Sequence, residues 1–245
     1  MPATVGILLS GGLDSAILLA KLLADGHSVQ PFYVHFGLSW EGSERRGAEL
    51  FWRALAAGGP GAAGGPGAAG GPGAVGGPGA AGARLEPIVD LALPVTDLYG
   101  EHWSVTGANV PGFDTPDEAV FLPGRNPILL VKTAVWCQMH GIEELALAPL
   151  AQNPFGDASE AFFDTFAQAM SLAMSRPLRI VRPFLHCSKT EVMRLGQDLP
   201  LELTFSCIRP VREQHCGDCN KCAERQLAFR NAGLTDRTTY ARRPS

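Results

Sequence analysis

The stretch Val5–Ser15, VGILLSGGLDS, decides the fold of this chain. Its apolar first half predicts a buried strand, and the apolar pattern over 15–25 predicts a helix directly behind it. The two glycines between them lack a Cβ, so backbone N–H groups there can close around an anion without a steric penalty. The positive end of the helix would face the same anion, with Asp14 and Ser15 as N-cap residues. The stretch therefore predicts a phosphate-binding loop that lacks the Gly-Lys-Ser/Thr ending of the Walker type.

The composition is that of a folded protein with a net negative charge. At 245 residues the chain can bury a full core, and its net charge of −4 predicts no attraction to nucleic acid. The first apolar stretch is short and lacks a basic leader, and no apolar run is long enough to cross a bilayer, so we expect a cytoplasmic protein with no membrane partner. Five arginines near the C-terminus are predicted to lie on a solvated tail: Arg225, Arg230, Arg237, Arg242 and Arg243.

Short apolar runs alternate with helical patterns along the chain. The predicted strands are 4–9, 28–35, 86–91, 143–149 and 178–183. The predicted helices are 15–25, 43–57, 126–140, 158–175, 189–197 and 220–232. This alternation predicts an α/β fold with a doubly wound parallel sheet, which would bind a nucleotide at the carboxyl ends of its strands. We expect an ATP-binding α/β domain over 1–200 and a metal-binding segment with the last helix over 201–245.

Residues 58–82 interrupt this alternation with four tandem copies of GGPGAA, the third reading GGPGAV. Glycine at every third position is formally a collagen-like register. However, few of the intervening positions are proline, and a triple helix would need three chains meeting at a loop. The segment therefore predicts a flexible, partly polyproline-like insertion that carries no chemistry.

Four of the six cysteines form a C-x8-C-x2-C-x2-C pattern: Cys207, Cys216, Cys219 and Cys222. Four thiolates suit a tetrahedral, structural zinc ion, and Lys221 would place positive charge beside them. An iron–sulfur cluster and a redox-active Cys-x-x-Cys pair are the alternatives. Nothing in the sequence points to secretion, so metal ligation is favoured over disulfides. Cys137 and Cys187 stand apart and are predicted to pack in the core.

Several motifs carry a resemblance to known enzymes. SGGLDS resembles the signature of the PP-loop ATP pyrophosphatases, which implies cleavage of ATP between its α and β phosphates. Three further stretches resemble the 7-cyano-7-deazaguanine synthases of that superfamily: LPGRN at 122–126, SKTE at 188–191, and LTFSC at 203–207 before the other cysteines. By itself SKTE is also a capping box, with Ser188 at the N-cap and Glu191 at N3.

This resemblance implies roles for individual residues. Those that would hold the ATP phosphates, with Asp14 acting through Mg²⁺, are Ser10, Gly11, Gly12, Leu13, Asp14 and Ser15. Arg125 and Lys189 would offset the charge on the departing pyrophosphate, and Asp157 would bind the substrate. The implied reaction converts 7-carboxy-7-deazaguanine and ammonia to the nitrile through adenylated intermediates, and the implied assembly is a homodimer.

Two stretches depart from that family. His35–Leu38 reads HFGL where the family has aspartate, tyrosine, glycine and glutamine, and Ser159 stands where the family has an arginine after Asp157. Activation of a different carboxylate or deazapurine, or modification of tRNA, is therefore an alternative function. A nucleotide-binding scaffold without turnover is disfavoured, because it would not need SGGLDS together with Arg125 and Lys189.

Overall fold

The computed structural model describes residues 4–58, 83–151 and 153–242. The insertion predicted at 58–82 lies, apart from Gly58, outside the described residues. Among the helices that are described, none is both long and apolar enough to span a membrane.

Five parallel strands form one sheet in the order β3-β2-β1-β4-β5. The strands are β1 (Thr4–Leu8), β2 (Ser28–His35), β3 (Val89–Ala92), β4 (Glu144–Ala146) and β5 (Arg179–Val181). The chain builds outward from β1 to one edge, then crosses to the other side of β1 to add β4 and β5. This is the predicted doubly wound parallel sheet, and the crossover leaves a crevice at the carboxyl ends of β1 and β4.

Helices cover both faces of this sheet. They are α1 (Leu13–Ala24), α2 (Glu41–Ala56), α3 (Thr96–Tyr99), α4 (Trp103–Thr106), α5 (Arg125–Met139), α6 (Glu160–Met174), α7 (Lys189–Leu195) and α8 (Asn220–Ala232). Apolar side chains of α1, α2, α7 and α8 share one buried cluster, and those of α5 and α6 share the other. All six helices predicted from the pattern are present. The short α3 and α4 were not predicted, because four residues are too few to show a period.

Gly6 shows how closely β1 packs against α5. A Cβ added to Gly6 would lie 2.9 Å from the Sγ atom of Cys137 and 3.0 Å from the ring of Phe32. Cys137 is fully buried, and burial raises the pKa of its thiol to about 12. The prediction that Cys137 is a packing residue is therefore confirmed.

The start of α1 differs from the prediction. The helix begins at Leu13 with Gly12 at the N-cap and no side-chain cap, so Asp14 lies in the first turn and is not the N-cap residue. The Ser15 hydroxyl donates a hydrogen bond to the carbonyl oxygen of Gly12 (3.2 Å) and lies 3.1 Å from the hydroxyl of Ser10. The carboxylate of Asp14 is thereby left available to contact other elements.

Arg225 corrects the prediction of a solvated arginine tail. Its side chain is 1% exposed and donates hydrogen bonds to four oxygen atoms: Leu201 O (2.7 Å), Thr204 Oγ1 (2.8 Å), Ser206 Oγ (3.2 Å) and Thr238 Oγ1 (2.8 Å). Burial lowers the pKa of this guanidinium, which has no carboxylate among these partners. Arg225 thus ties α8 to the segment that precedes the cysteines. The division of the chain at residue 200 stays a prediction.

Candidate nucleotide site and cysteine cluster

The predicted phosphate loop, residues 10–15, lies at the crevice between β1 and β4. Gly11 has φ +76°, and a Cβ at this position would lie 2.6 Å from the carbonyl oxygen of Glu44. The backbone N–H of Phe205 donates a hydrogen bond to the carbonyl oxygen of Gly11 at 2.7 Å. The loop is therefore held between α2 and the segment before the cysteines, and only glycine fits at its tightest point.

A cleft of about 200 Å³ opens above the loop. Its polar lining includes four of the predicted site residues: Ser10, Asp14, Ser15 and Arg125. The Nε atom of Arg125 is buried and has no hydrogen-bond partner among the described residues. A buried guanidinium nitrogen without an acceptor is suited to an incoming anion, since leaving it unpaired is costly.

Arg125 is positioned by the turn that starts α5. Gly124 precedes it with φ +70°, and the Tyr99 hydroxyl donates a hydrogen bond to the carbonyl oxygen of Pro123 at 2.9 Å. The backbone N–H of Asn126 donates to the carboxylate of Asp157 at 3.1 Å, and the Asn126 side chain donates to the carbonyl oxygen of Asp157 at 2.9 Å. Asp157 therefore stabilises the start of α5. Its predicted role in binding substrate stays a prediction.

Lys189 meets the phosphate loop from α7. Its Nζ atom lies 2.8 Å from both carboxylate oxygens of Asp14, although the two residues are far apart in the chain. Both lie in a second, larger cleft of about 360 Å³, which shares Asp14, Ala148 and Asn153 with the smaller one. The capping box predicted for SKTE is confirmed: the Ser188 hydroxyl accepts from the N–H of Glu191, and the N–H of Ser188 donates to the Glu191 carboxylate.

Two charged residues of α8 also line the larger cleft. The Nζ atom of Lys221 lies 2.6 Å from the carboxylate of Glu224, and the Nζ atom of Lys189 lies 3.6 Å from it. Burial by itself would lower the pKa of Lys189, but the charges of Asp14 and Glu224 outweigh it and raise that pKa. Burial by itself would raise the pKa of Glu224, but the two lysines lower it to about 2. Lys189 and Glu224 are therefore both charged at neutral pH. Glu224 was not predicted.

A half-buried carboxyl group, that of Glu44, lies behind the loop and was also not predicted. The Tyr33 hydroxyl donates a hydrogen bond to it at 2.8 Å. Burial raises the pKa of Glu44, and the charge of Arg125 opposes that rise. Glu44 is therefore a carboxyl group on the protein side of Arg125 whose ionisation burial opposes and Arg125 favours.

The first stretch that departs from the family forms a charge network at the ends of β2 and β3. The two ring nitrogens of His35 each lie 2.9 Å from a carboxylate oxygen, one of Glu41 and one of Asp90. Arg45 donates hydrogen bonds to both oxygens of Asp90, at 2.6 and 3.0 Å. Burial by itself lowers the pKa of His35, but the hydrogen bonds to Glu41 and Asp90 outweigh it and raise that pKa.

The four cysteines of the predicted metal site are buried together, with all Sγ atoms within 4.8 Å of one another. The Sγ atoms of Cys207 and Cys219 are 3.8 Å apart, as are those of Cys216 and Cys222. A tetrahedral zinc ion with Zn–S bonds of about 2.3 Å requires thiolates about 3.8 Å apart. The cluster therefore fits a single zinc ion, whereas an iron–sulfur cluster stands between its thiolates and would hold them further apart.

Backbone N–H groups surround these sulfur atoms. Those of Arg209 and Cys216 each lie 3.3 Å from the Sγ atom of Cys207, and that of Gly217 lies 3.4 Å from the Sγ atom of Cys222. Such hydrogen bonds stabilise thiolates and orient them toward a metal. Lys221, predicted to place positive charge beside the thiolates, has its ammonium group paired with Glu224 in the cleft.

Comparison with known proteins agrees with this geometry. The family described as queuosine biosynthesis protein QueC matches residues 96–233. A 7-cyano-7-deazaguanine synthase of Anaeromyxobacter sp. (strain Fw109-5) is 31% identical over 97% of this chain and 96% of its own length.

The chain belongs to the QueC family.

Other QueC relatives match over a similar length. A 7-cyano-7-deazaguanine synthase of Anaeromyxobacter dehalogenans (strain 2CP-C) is 30% identical over 96% of this chain and 95% of its own. A 7-cyano-7-deazaguanine synthase of Halobacterium salinarum (strain R1) is 28% identical over 98% of this chain and 96% of its own length. Among solved structures, a predicted tRNA methyltransferase subunit of Methanocaldococcus jannaschii matches 79% of this chain and 74% of its own chain. Its TM-score is 0.44 and its sequence identity is 14%, so the similarity is distant. The predicted family is therefore confirmed by sequence.

Proposed function

We propose that this protein is an ATP-dependent ligase that converts 7-carboxy-7-deazaguanine and ammonia to 7-cyano-7-deazaguanine. The observation that carries the proposal is that a phosphate-type loop, Arg125 and Lys189 meet at one crevice in a chain of the QueC family. The curated relatives named for this reaction match nearly the whole chain, which supports the same substrate class.

The site residues suit activation of a carboxylate by ATP. Backbone N–H groups of the loop 10–15 would hold phosphate oxygens, and the Asp14 carboxylate would hold the Mg²⁺ ion that accompanies ATP and offsets phosphate charge. A substrate carboxylate oxygen attacks the α-phosphorus, and the bond to pyrophosphate breaks. Arg125 and Lys189 stabilise the charge that develops on this leaving group.

Ammonia then completes the first half of the reaction. Its nitrogen attacks the acyl carbon, a proton is lost, and AMP leaves with one carboxylate oxygen, which gives the amide. The amide oxygen attacks the α-phosphorus of a second ATP, and pyrophosphate leaves again. Loss of AMP and of the remaining protons on nitrogen gives the nitrile. The protein supplies proximity and charge stabilisation, and no cysteine acts as a nucleophile.

The cysteine cluster is proposed to hold one structural zinc ion, since its four thiolates leave no ligand position for substrate. A homodimer and a cytoplasmic location stay predictions from the family resemblance and from the sequence.

A second substrate class is favoured by one observation. The Ser159 hydroxyl accepts a hydrogen bond from the N–H of Phe162 at 3.2 Å and so caps α6, where the family resemblance places an arginine suited to a carboxylate. Without that arginine, a different carboxylate or deazapurine is the alternative substrate of the same activation chemistry.

The test is release of AMP and pyrophosphate from purified protein with Mg-ATP and ammonium, with and without 7-carboxy-7-deazaguanine. Mass spectrometry would identify the product. AMP release that depends on this substrate and yields the nitrile supports the proposal. AMP release with other carboxylates alone moves the assignment to the second class, and no AMP release with any carboxylate overturns both.

A further inference from the structure

Helix α8 begins inside the cysteine cluster, and one of its faces lines the larger cleft. Cys219 is its N-cap residue, and Cys222 lies in its first turn. Along the chain, Lys221 lies between Cys219 and Cys222 and Glu224 follows them, and the side chains of Lys221 and Glu224 both line the cleft. Because the thiolates hold both ends of this turn, the position of Lys221 and Glu224 in the cleft depends on the cysteine cluster.

The same turn also contacts the segment 111–116, which leads to Asp117 of the larger cleft. The Asn220 side chain donates a hydrogen bond to the carbonyl oxygen of Thr115 at 2.7 Å, and its backbone N–H donates to that of Pro111 at 3.1 Å. Asn220 is buried, so these contacts are shielded from water. These contacts therefore anchor the turn as well, and it cannot shift without breaking them.

Four charges alternate in sign from the phosphate loop to this turn: Asp14, Lys189, Glu224 and Lys221. The ammonium group of Lys189 lies between two carboxylates, at 2.8 Å from that of Asp14 and at 3.6 Å from that of Glu224. Side-chain exposure is 24% for Lys189 and 27% for Asp14, which keeps these charges partly shielded from solvent. A ligand that occupied the Asp14 carboxylate would leave Glu224 as the carboxylate that holds Lys189.

We propose that Glu224 is a positioning residue that holds the ammonium group of Lys189 at the cleft, so that the cysteine-bound turn of α8 forms part of the nucleotide site. This inference rests on the proposed function only in requiring that the cleft binds ATP. It does not depend on which carboxylate is activated.

Nucleotide affinity without turnover tests the inference. The variants are Glu224→Gln and, as a matched control, Glu101→Gln, which changes an exposed glutamate outside the clefts. Isothermal titration with α,β-methylene ATP and Mg²⁺ should show affinity reduced about tenfold in Glu224→Gln, since the charge that pairs with Lys189 is lost, and unchanged affinity in Glu101→Gln. Metal content and thermal midpoint should match those of the wild type in both variants.

A double-mutant cycle separates positioning from a general structural role. If Glu224 acts through Lys189, Glu224→Gln should weaken affinity in the wild-type background and have no further effect in a Lys189→Met background. Equal losses in both backgrounds, unchanged affinity in Glu224→Gln, or loss of the metal from that variant would each overturn the inference. Failure of the wild type to bind the analogue would overturn the proposed function as well, whereas wild-type binding with unaffected Glu224→Gln overturns this inference alone.

Discussion

The phosphate loop and the first turn of α8 face the same cleft, yet different forces hold them there. The loop is a contiguous stretch fixed by the backbone: Gly11 has φ +76° and contacts α2, and the N–H of Phe205 binds its carbonyl oxygen. The turn of α8 carries two of the four clustered cysteines, whose sulfur atoms fit a single zinc ion. Backbone contacts therefore hold one side of the site, and we expect the other side to depend on a bound metal ion.

Removal of a thiolate should have the largest effect on stability, and it tests whether the α8 side of the cleft depends on a metal ion. We expect Cys219→Ser to abolish stoichiometric metal binding and to lower the free energy of unfolding by about 5 kcal/mol or more, because metal binding contributes to folding directly. Metal analysis and urea unfolding measure both quantities. Cys187→Ser is the matched control, since Cys187 is half-buried and outside the cluster. A Cys219→Ser protein of wild-type stability would show that the turn does not depend on the metal.

Substitution on the other side of the cleft should reduce activity and spare the fold. Asp14→Asn removes the charge that faces Lys189 and the proposed Mg²⁺ ligand without a change of shape. We expect substrate-dependent AMP formation to fall about 10²- to 10³-fold, as for loss of one group that stabilises transition-state charge. Asp25→Asn is the control, since Asp25 forms an exposed pair with Lys21 at the far end of α1. Equal rates for Asp14→Asn and wild type would remove Asp14 from the site.

The contribution of the backbone to the loop can be measured with two alanine substitutions. Gly11→Ala must accommodate a positive φ and a Cβ 2.6 Å from the Glu44 carbonyl oxygen, whereas Gly100→Ala has φ +52° with no atom within 4 Å of its Cβ. We expect Gly11→Ala to lower the free energy of unfolding by about 1–3 kcal/mol more than Gly100→Ala does, which is the cost of the close approach. Equal losses in denaturant titrations would mean that α2 yields and does not clamp the loop.

The same contrast explains how much the sequence could predict. The strand β1, the loop behind it and the cysteine set are contiguous or closely spaced signals, and the structure places them together as expected. Strand β3 begins at Val89, three residues after the predicted start, and the only pairing before it is an isolated bridge between Leu85 and Val29 among the described residues.

Contacts between distant elements could not be predicted from the sequence. Nothing near Glu224 in the chain indicates that its carboxylate meets Lys189, and nothing near Arg225 indicates that its guanidinium is buried. An arginine in an exposed tail and a buried arginine with four hydrogen-bond acceptors have the same one-dimensional pattern. Such pairings depend on how helices pack on the sheet, which a pattern along one element does not encode.

The network of His35, Glu41 and Asp90 is a third case. It joins different elements without a metal, and we expect it to contribute least to the free energy of unfolding. The His35 side chain is 34% exposed and that of Asp90 is 44% exposed, so we expect the network to add less than about 1 kcal/mol. The folded-state pKa of His35 is raised, so its stabilisation is complete below the unfolded-state value of about 6.5 and is lost as pH rises through the higher folded-state pKa. Asp90 has a lowered pKa and stays ionised over that range. The difference in unfolding free energy between wild type and His35→Gln should therefore be larger at about pH 5.5 than at about pH 9. A difference that is the same at both pH values would mean that His35 contributes by packing against Tyr33 and not by its charge.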